Sequence, residues 1–176
     1  VLLAGTLGAF PQAANQIALK LSSSTFMVAV GVGVAATIRV GNQKGLKNYI
    51  ELRRIAFSNF LLILIVMFTF SICFMLFRDF LPLIFTDNLE VIKMASSLLI
   101  IAGFFQLSDG LQAVILGGLR GLQDVNVPSG LTFIAYWIIG FPVSYYLGRI
   151  AGFGTFGIWI GLLVALTSSA LMLFLR

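Results

Sequence analysis

An all-α, polytopic membrane helical bundle is the fold class this sequence predicts, on three observations. Sixty per cent of its 176 residues are hydrophobic and 10% are charged, whereas a soluble domain carries roughly 25% charged residues. The apolar residues gather into runs of about 20 or more, the length that crosses about 30 Å of hydrocarbon at 1.5 Å per residue. The charges fall mainly in the short segments between those runs.

Six such runs follow one another, at residues 2–20, 24–44, 55–77, 91–119, 128–149 and 153–175. Together they make one transmembrane domain over residues 1–176, with no linker or low-complexity stretch. Helix punctuation marks their limits. Ser22, Ser23 and Ser24 precede the second run and Gly45 follows it; Asn88 stands before the fourth, and Pro128 occupies the first turn of the fifth. The segment "RDFLPLIFTDNLEVI" has apolar residues around Pro82 and charges at both ends, which suits a connection lying at the membrane surface rather than a span.

Orientation follows from the basic residues. Arg39, Lys44, Lys47, Arg53, Arg54, Arg120 and Arg176 fall at one side, and Lys20, Arg78, Lys93 and Arg149 at the other. The richer side, with the 45–54 loop, is expected to face the cytoplasm. The pI near 9.8 therefore reflects topology and not a nucleic-acid partner. Two helix ends also echo each other, "ATIRVGNQKG" and "GGLRGLQDVN", each placing small residues, then Arg, then Gly. A repeat and common membrane-edge physics explain this equally well.

Several chemistries are excluded early. The chain has no His, which removes histidine-ligated metals, HExxH proteases and Ser/His hydrolases, so no catalytic residue and no enzyme activity are expected. A single cysteine, Cys73, forms no internal disulfide and reads as a small buried hydrophobe. The chain opens at Val1 with no charged segment before the first run, so it reads as a fragment without a legible signal peptide.

Candidate chemistry centres on "FFQLSDGLQAVILGG". An Asp at a helix centre costs roughly 2.5 to 3.5 kcal/mol to insert, and ionisable groups within spans usually mark pathways. At 100° per residue, Ala102, Phe105, Gln106, Asp109, Gln112, Ala113 and Leu116 share one face. Gly103, Gly110, Gly117 and Gly121 form an adjoining seam against which a second helix can pack closely. Asp109 is thus the candidate cation or proton site; a hydrogen-bonded structural carboxyl is the alternative. Gln106 and Gln112 are neutral oxygen donors, substrate contacts or interhelical bridges. In the first run Gly5, Gly8, Gln12, Asn15, Gln16 and Leu19 form a second polar stripe, with Pro11 expected to bend the helix. Pro142 beside Gly140 marks another bend. Tyr136, Trp137, Tyr145, Tyr146 and Trp159 read as interfacial anchors, although aromatic walls of a cavity for cationic drugs need the same residue types.

Taken together, "LGAFPQAANQIALKLSSSTFMVAVGVGVAATIRVGNQKG", "FFQLSDGLQAVILGGLRGLQDVNVP", "YWIIGFPVSYYLG" and "GTFGIWIGL" resemble the C-terminal half of multidrug and toxic compound extrusion (MATE) transporters. The resemblance runs through the whole chain in order. It implies that the six runs are helices seven to twelve of a twelve-helix protein of two six-helix lobes, multi-pass in the inner or plasma membrane, whose N-terminal lobe is missing here. It implies an antiporter without cofactors that exports amphipathic, often cationic, small organic compounds by alternating access, driven by sodium or protons. By the same resemblance Asp109 belongs to the cation site of the C-terminal lobe, and a further acidic residue of many members would lie before Val1. Many members have a His where this chain has Asn15, which removes a titratable group. Gln106, Gln112, Gln12, Asn15, Gln16 and Tyr136 are the candidate cavity contacts.

A carboxylate neutralised by either an ion or a cationic substrate makes the two mutually exclusive, the minimum requirement for exchange. Two rival classes remain. A lipid-linked precursor flippase would line its cavity with Arg or Lys facing pyrophosphate, and no basic residue is expected deep in a span. A noncatalytic membrane scaffold would use the glycine seams without needing Asp109.

Overall fold

The computed structural model describes residues 8–176, and five helices long and apolar enough to cross a membrane account for nearly all of them. We label them α1 (Ala9–Gly45), α2 (Tyr49–Leu76), α3 (Leu89–Gly121), α4 (Asn126–Ile150) and α5 (Gly154–Phe174). The first two expected runs are a single helix. Ser22, Ser23 and Ser24 do not stop it, because a hydroxyl within a helix can bond the preceding turn. Ser24 Oγ donates to the Lys20 carbonyl at 3.0 Å, and Thr25 Oγ1 to that of Ser22 at 2.8 Å. Pro11 produces no break; it lies in the first turn, where a missing N–H leaves no intrahelical bond unmade. Gly5 lies outside the described residues.

At 37 residues α1 is about 55 Å long, well beyond the roughly 30 Å hydrocarbon core. Lys20 and Arg39 are both exposed on it. They stand 19 residues apart, about 28 Å along the axis. Lys20 therefore lies within α1 and not in a loop between two spans, so it no longer counts among the basic residues of the opposite end.

α3 is the centre of the bundle and packs against α1, α2 and α5, while α4 rests on α5. The glycine seam expected on α3 splits between two partners. A Cβ at Gly117 would collide with the carbonyl of Gly33 on α1, and one at Gly121 would stand 2.6 Å from the Thr37 carbonyl. Gly103 and Gly110 instead admit Ser71 and Met67 of α2. With the backbones this close, Thr37 Oγ1 donates to the Gly117 carbonyl at 2.8 Å. Gly157 and Gly161 do the same for α5 against Leu147 and Ser144 of α4. Apolar contacts fill in around these crossings: Ala14, Ala18, Leu98, Ala102 and Trp159 at one level, and Ala29, Ala36, Ile63, Met67 and Val114 at another.

The outer face of α2 carries exposed Phe57, Leu61, Ile65, Phe68 and Ile72 at helical spacing, the pattern of a lipid-facing stripe. The α2 to α3 connection is a short 3₁₀ turn, Leu81–Ile84, with Phe80, Leu83 and Ile84 exposed and Pro82 buried. It does not cross, as its composition predicts. Asn88 caps α3 by accepting from the Glu90 and Val91 amides at 3.0 and 3.4 Å.

The two echoed helix ends share one geometry. Lys47 and Gln123 adopt positive φ of 55° and 60°. Asn48 N donates to the Gln43 carbonyl, and Asp124 N to that of Leu119, the six-residue closure of a Schellman turn. The left-handed residue is thus two positions beyond Gly45. In α4, Pro142 lies in a helical turn flanked by wider π-helical segments, Ile134–Gly140 and Tyr146–Ile150, so the irregularity expected near Gly140 takes the form of π turns on either side.

Candidate functional site

Asp109 sits near the middle of α3 and is half-buried, with no Lys or Arg paired to it among the described residues. The α3 backbone places Gln106 and Gln112 one turn to either side on the same face, and both are buried, at 2% and 7% exposed. Gln112 is engaged: its Oε1 accepts from the Tyr136 hydroxyl of α4 at 3.2 Å. Tyr136, half-buried, is therefore tied by its hydroxyl to the face of α3 that carries Asp109. Beside them, Ser108 Oγ and Thr167 Oγ1 of α5 lie 2.9 Å apart.

Gln106 differs from Gln112. Neither its amide nitrogen nor its oxygen finds a hydrogen-bond partner among the described residues, an expensive condition for a buried amide. The α1 to α3 crossing gives the register of the two helices around it. Gly33 meets Gly117 and Thr37 meets Gly121, an offset of 84 residues in both cases. The same offset brings Ser22 level with Gln106, and Ser22 Oγ also lacks a partner. Ser22, read from sequence as helix punctuation, is instead a buried polar group within α1, 5% exposed. Only the register between two helices far apart in sequence reveals it.

The second polar stripe is divided. Asn15 is buried and its Oδ1 accepts from Trp159 Nε1 at 2.9 Å. Trp159 is fully buried, edge-on to Phe105 with ring centroids 5.4 Å apart, so it is a core residue and not an anchor. Gln12 and Gln16 are exposed on the adjoining face of α1 and do not join the Asp109 cluster. Trp137, Tyr145 and Tyr146 are exposed, as anchors would be. Among the described residues no three His, Cys, Asp or Glu side chains gather. An ion at Asp109 would therefore need neutral oxygens for its remaining ligands, and the neighbouring glutamines are of that type.

Comparison with known proteins identifies the family. The MatE family model matches residues 1–146. The multidrug resistance protein MdtK of Proteus mirabilis is 40% identical over 176 residues, covering 98% of this chain and 38% of that protein. The multidrug resistance protein NorM of Photobacterium profundum is 36% identical, covering 99% of this chain and 39% of its own length. Among solved structures, the eukaryotic MATE transporter AtDTX14 superposes with a TM-score of 0.88 at 22% identity, over 94% of this chain and 38% of its own. A MATE protein in a bent conformation gives 0.89 at 18% identity, over 98% of this chain and 38% of its own. The chain thus spans about two fifths of the length of these relatives. Its helices, long and apolar enough to cross the bilayer several times, make it a multi-pass membrane protein. A family match over most of the chain, joined to the superposition of its helices, establishes that this chain belongs to the MatE family.

Proposed function

We propose that this chain supplies most of the C-terminal lobe of a secondary active antiporter that exports amphipathic, often cationic organic compounds in exchange for sodium or protons. The relatives are multidrug resistance proteins, which supports the substrate class. One observation carries the coupling: Asp109 is the one carboxylate deep within a helix, half-buried, without a cationic partner among the described residues, beside buried amides. A group so placed is neutralised either by an ion or by a cationic substrate, so entry of one favours release of the other. Gln106, with both amide atoms unpartnered, is the neutral donor next to it, and the Gln112–Tyr136 pair fixes the opposite wall. A flippase for anionic lipid-linked precursors is less well supported, since no basic side chain pairs with Asp109 among the described residues.

The test is ion-driven substrate flux per inserted protein in the complete transporter. Asp109→Asn keeps size and hydrogen bonding but removes the charge, and should insert normally while losing gradient-driven export. Asp109→Glu should retain partial activity or a shifted ion dependence. Gln106→Ala and Gln112→Ala should alter substrate preference or affinity and leave coupling intact. Undiminished flux in Asp109→Asn would make that carboxylate a structural bridge.

A further inference from the structure

A pocket of about 610 Å³ opens at the basic end of the bundle between α1, α2, α3 and α5, and Asp109 is not in its lining. Its walls are largely apolar and include the rings of Phe60 and Phe174, with centroids 5.6 Å apart. Two features are not those of a simple packing gap. Asn59 lines it, is 5% exposed, and its amide nitrogen has no partner among the described residues. Arg53 stands in the lining as well, exposed and with no carboxylate partner among the described residues. Arg176, the other cation in the lining, is held by Asp124 at 3.0 Å.

We infer that this pocket binds an anionic phospholipid from the leaflet at the basic end. Arg53 takes the phosphate, Asn59 Nδ2 donates to a glycerol-ester carbonyl, and the acyl chains run over Phe57 and the lipid-facing stripe of α2. Asn59 is six residues along α2 from Arg53, about 9 Å further from the helix end. That is the order in which a glycerophospholipid presents phosphate, ester and hydrocarbon along the bilayer normal. The choice of an anionic lipid rests on charge: this end carries seven basic residues against two acidic ones, Glu51 and Asp124, while the opposite end carries three, Arg78, Lys93 and Arg149, against three. Basic groups near a membrane surface enrich anionic lipids by this means. The site is independent of the export reading and involves none of the Asp109 cluster.

Native mass spectrometry of the complete transporter, titrated with phosphatidylglycerol or phosphatidylcholine, tests it. Wild type should retain phosphatidylglycerol preferentially. Arg53→Gln should weaken that binding by roughly five-fold, the scale of one basic residue at an anionic surface, Asn59→Leu should weaken it by roughly two- to ten-fold, the scale of one net hydrogen bond, and Arg78→Gln at the opposite end should leave it unchanged. A second measurement does not depend on Asn59→Leu folding. In Phe57→Trp, phosphatidylglycerol with brominated chains should quench the added fluorescence at lower mole fraction than brominated phosphatidylcholine. Identical quenching by the two lipids, unchanged binding in Arg53→Gln, or retention of a cationic drug in place of lipid would overturn the inference.

Discussion

Trp159 and Asn15 are 144 residues apart in the chain yet share a buried hydrogen bond of 2.9 Å, and this pair locks the start of α1 to α5. In a membrane interior such a bond is worth roughly 0.6 to 2 kcal/mol, because an unpaired donor finds little water to replace its partner. Asn15→Ala and Trp159→Phe should therefore couple by about 1 kcal/mol in a double-mutant cycle on unfolding in detergent; a coupling near zero would show the bond to be incidental. The pair also marks how far side-chain roles can be read without the fold. Asp109, Gln106 and Gln112 could be grouped from helical period alone, since all three lie within two turns of one helix. Asn15, Ser22 and Trp159 could not. Their environments are set by helices distant in sequence, and a tryptophan in an apolar run has the same local signature whether it meets the headgroups or a buried amide.

Helices α1 and α3 cross at glycines because only a missing side chain lets their backbones touch. Gly117 and Gly118 are neighbours and make a controlled comparison. A Cβ at Gly117 would run into the Gly33 carbonyl, whereas one at Gly118 meets nothing within 4 Å. Gly117→Ala should lower stability by about 2 kcal/mol or more and also strain the Thr37 to Gly117 bond. Gly118→Ala should be neutral or slightly stabilising, given alanine's higher helix propensity. Equal melting temperatures for the two variants would contradict the close crossing. At this scale the sequence identified the apolar runs, the Asn88 cap, the surface connection around Pro82 and the small-residue seam. It misplaced one boundary for a physical reason: a run of serines next to a run already long enough to span looks like a turn, yet serine hydroxyls bond within α1 and the helix continues to 37 residues. It also assigned the seam to one partner helix, because period fixes a direction on α3 but not how many neighbours lie in that direction.

Across the whole molecule, charge placement and the Asp109 site divide the work. Arg39 and Arg120 lie near one end of the bundle, where Lys44 also bonds the Leu122 carbonyl. In our reading they hold orientation at the cytoplasmic edge, so replacing both with Gln should reduce the amount of inserted protein more than substrate affinity; normal abundance with transport abolished would place them in the mechanism. The central claim is that ion and substrate compete for one carboxylate. The most direct measurement is the binding of a cationic substrate to the complete transporter, titrated against sodium and against pH, in wild type and in Asp109→Asn. The account predicts that sodium or protons raise the apparent Kd competitively in wild type and that this dependence disappears in Asp109→Asn. Competition of equal strength in both proteins would contradict it.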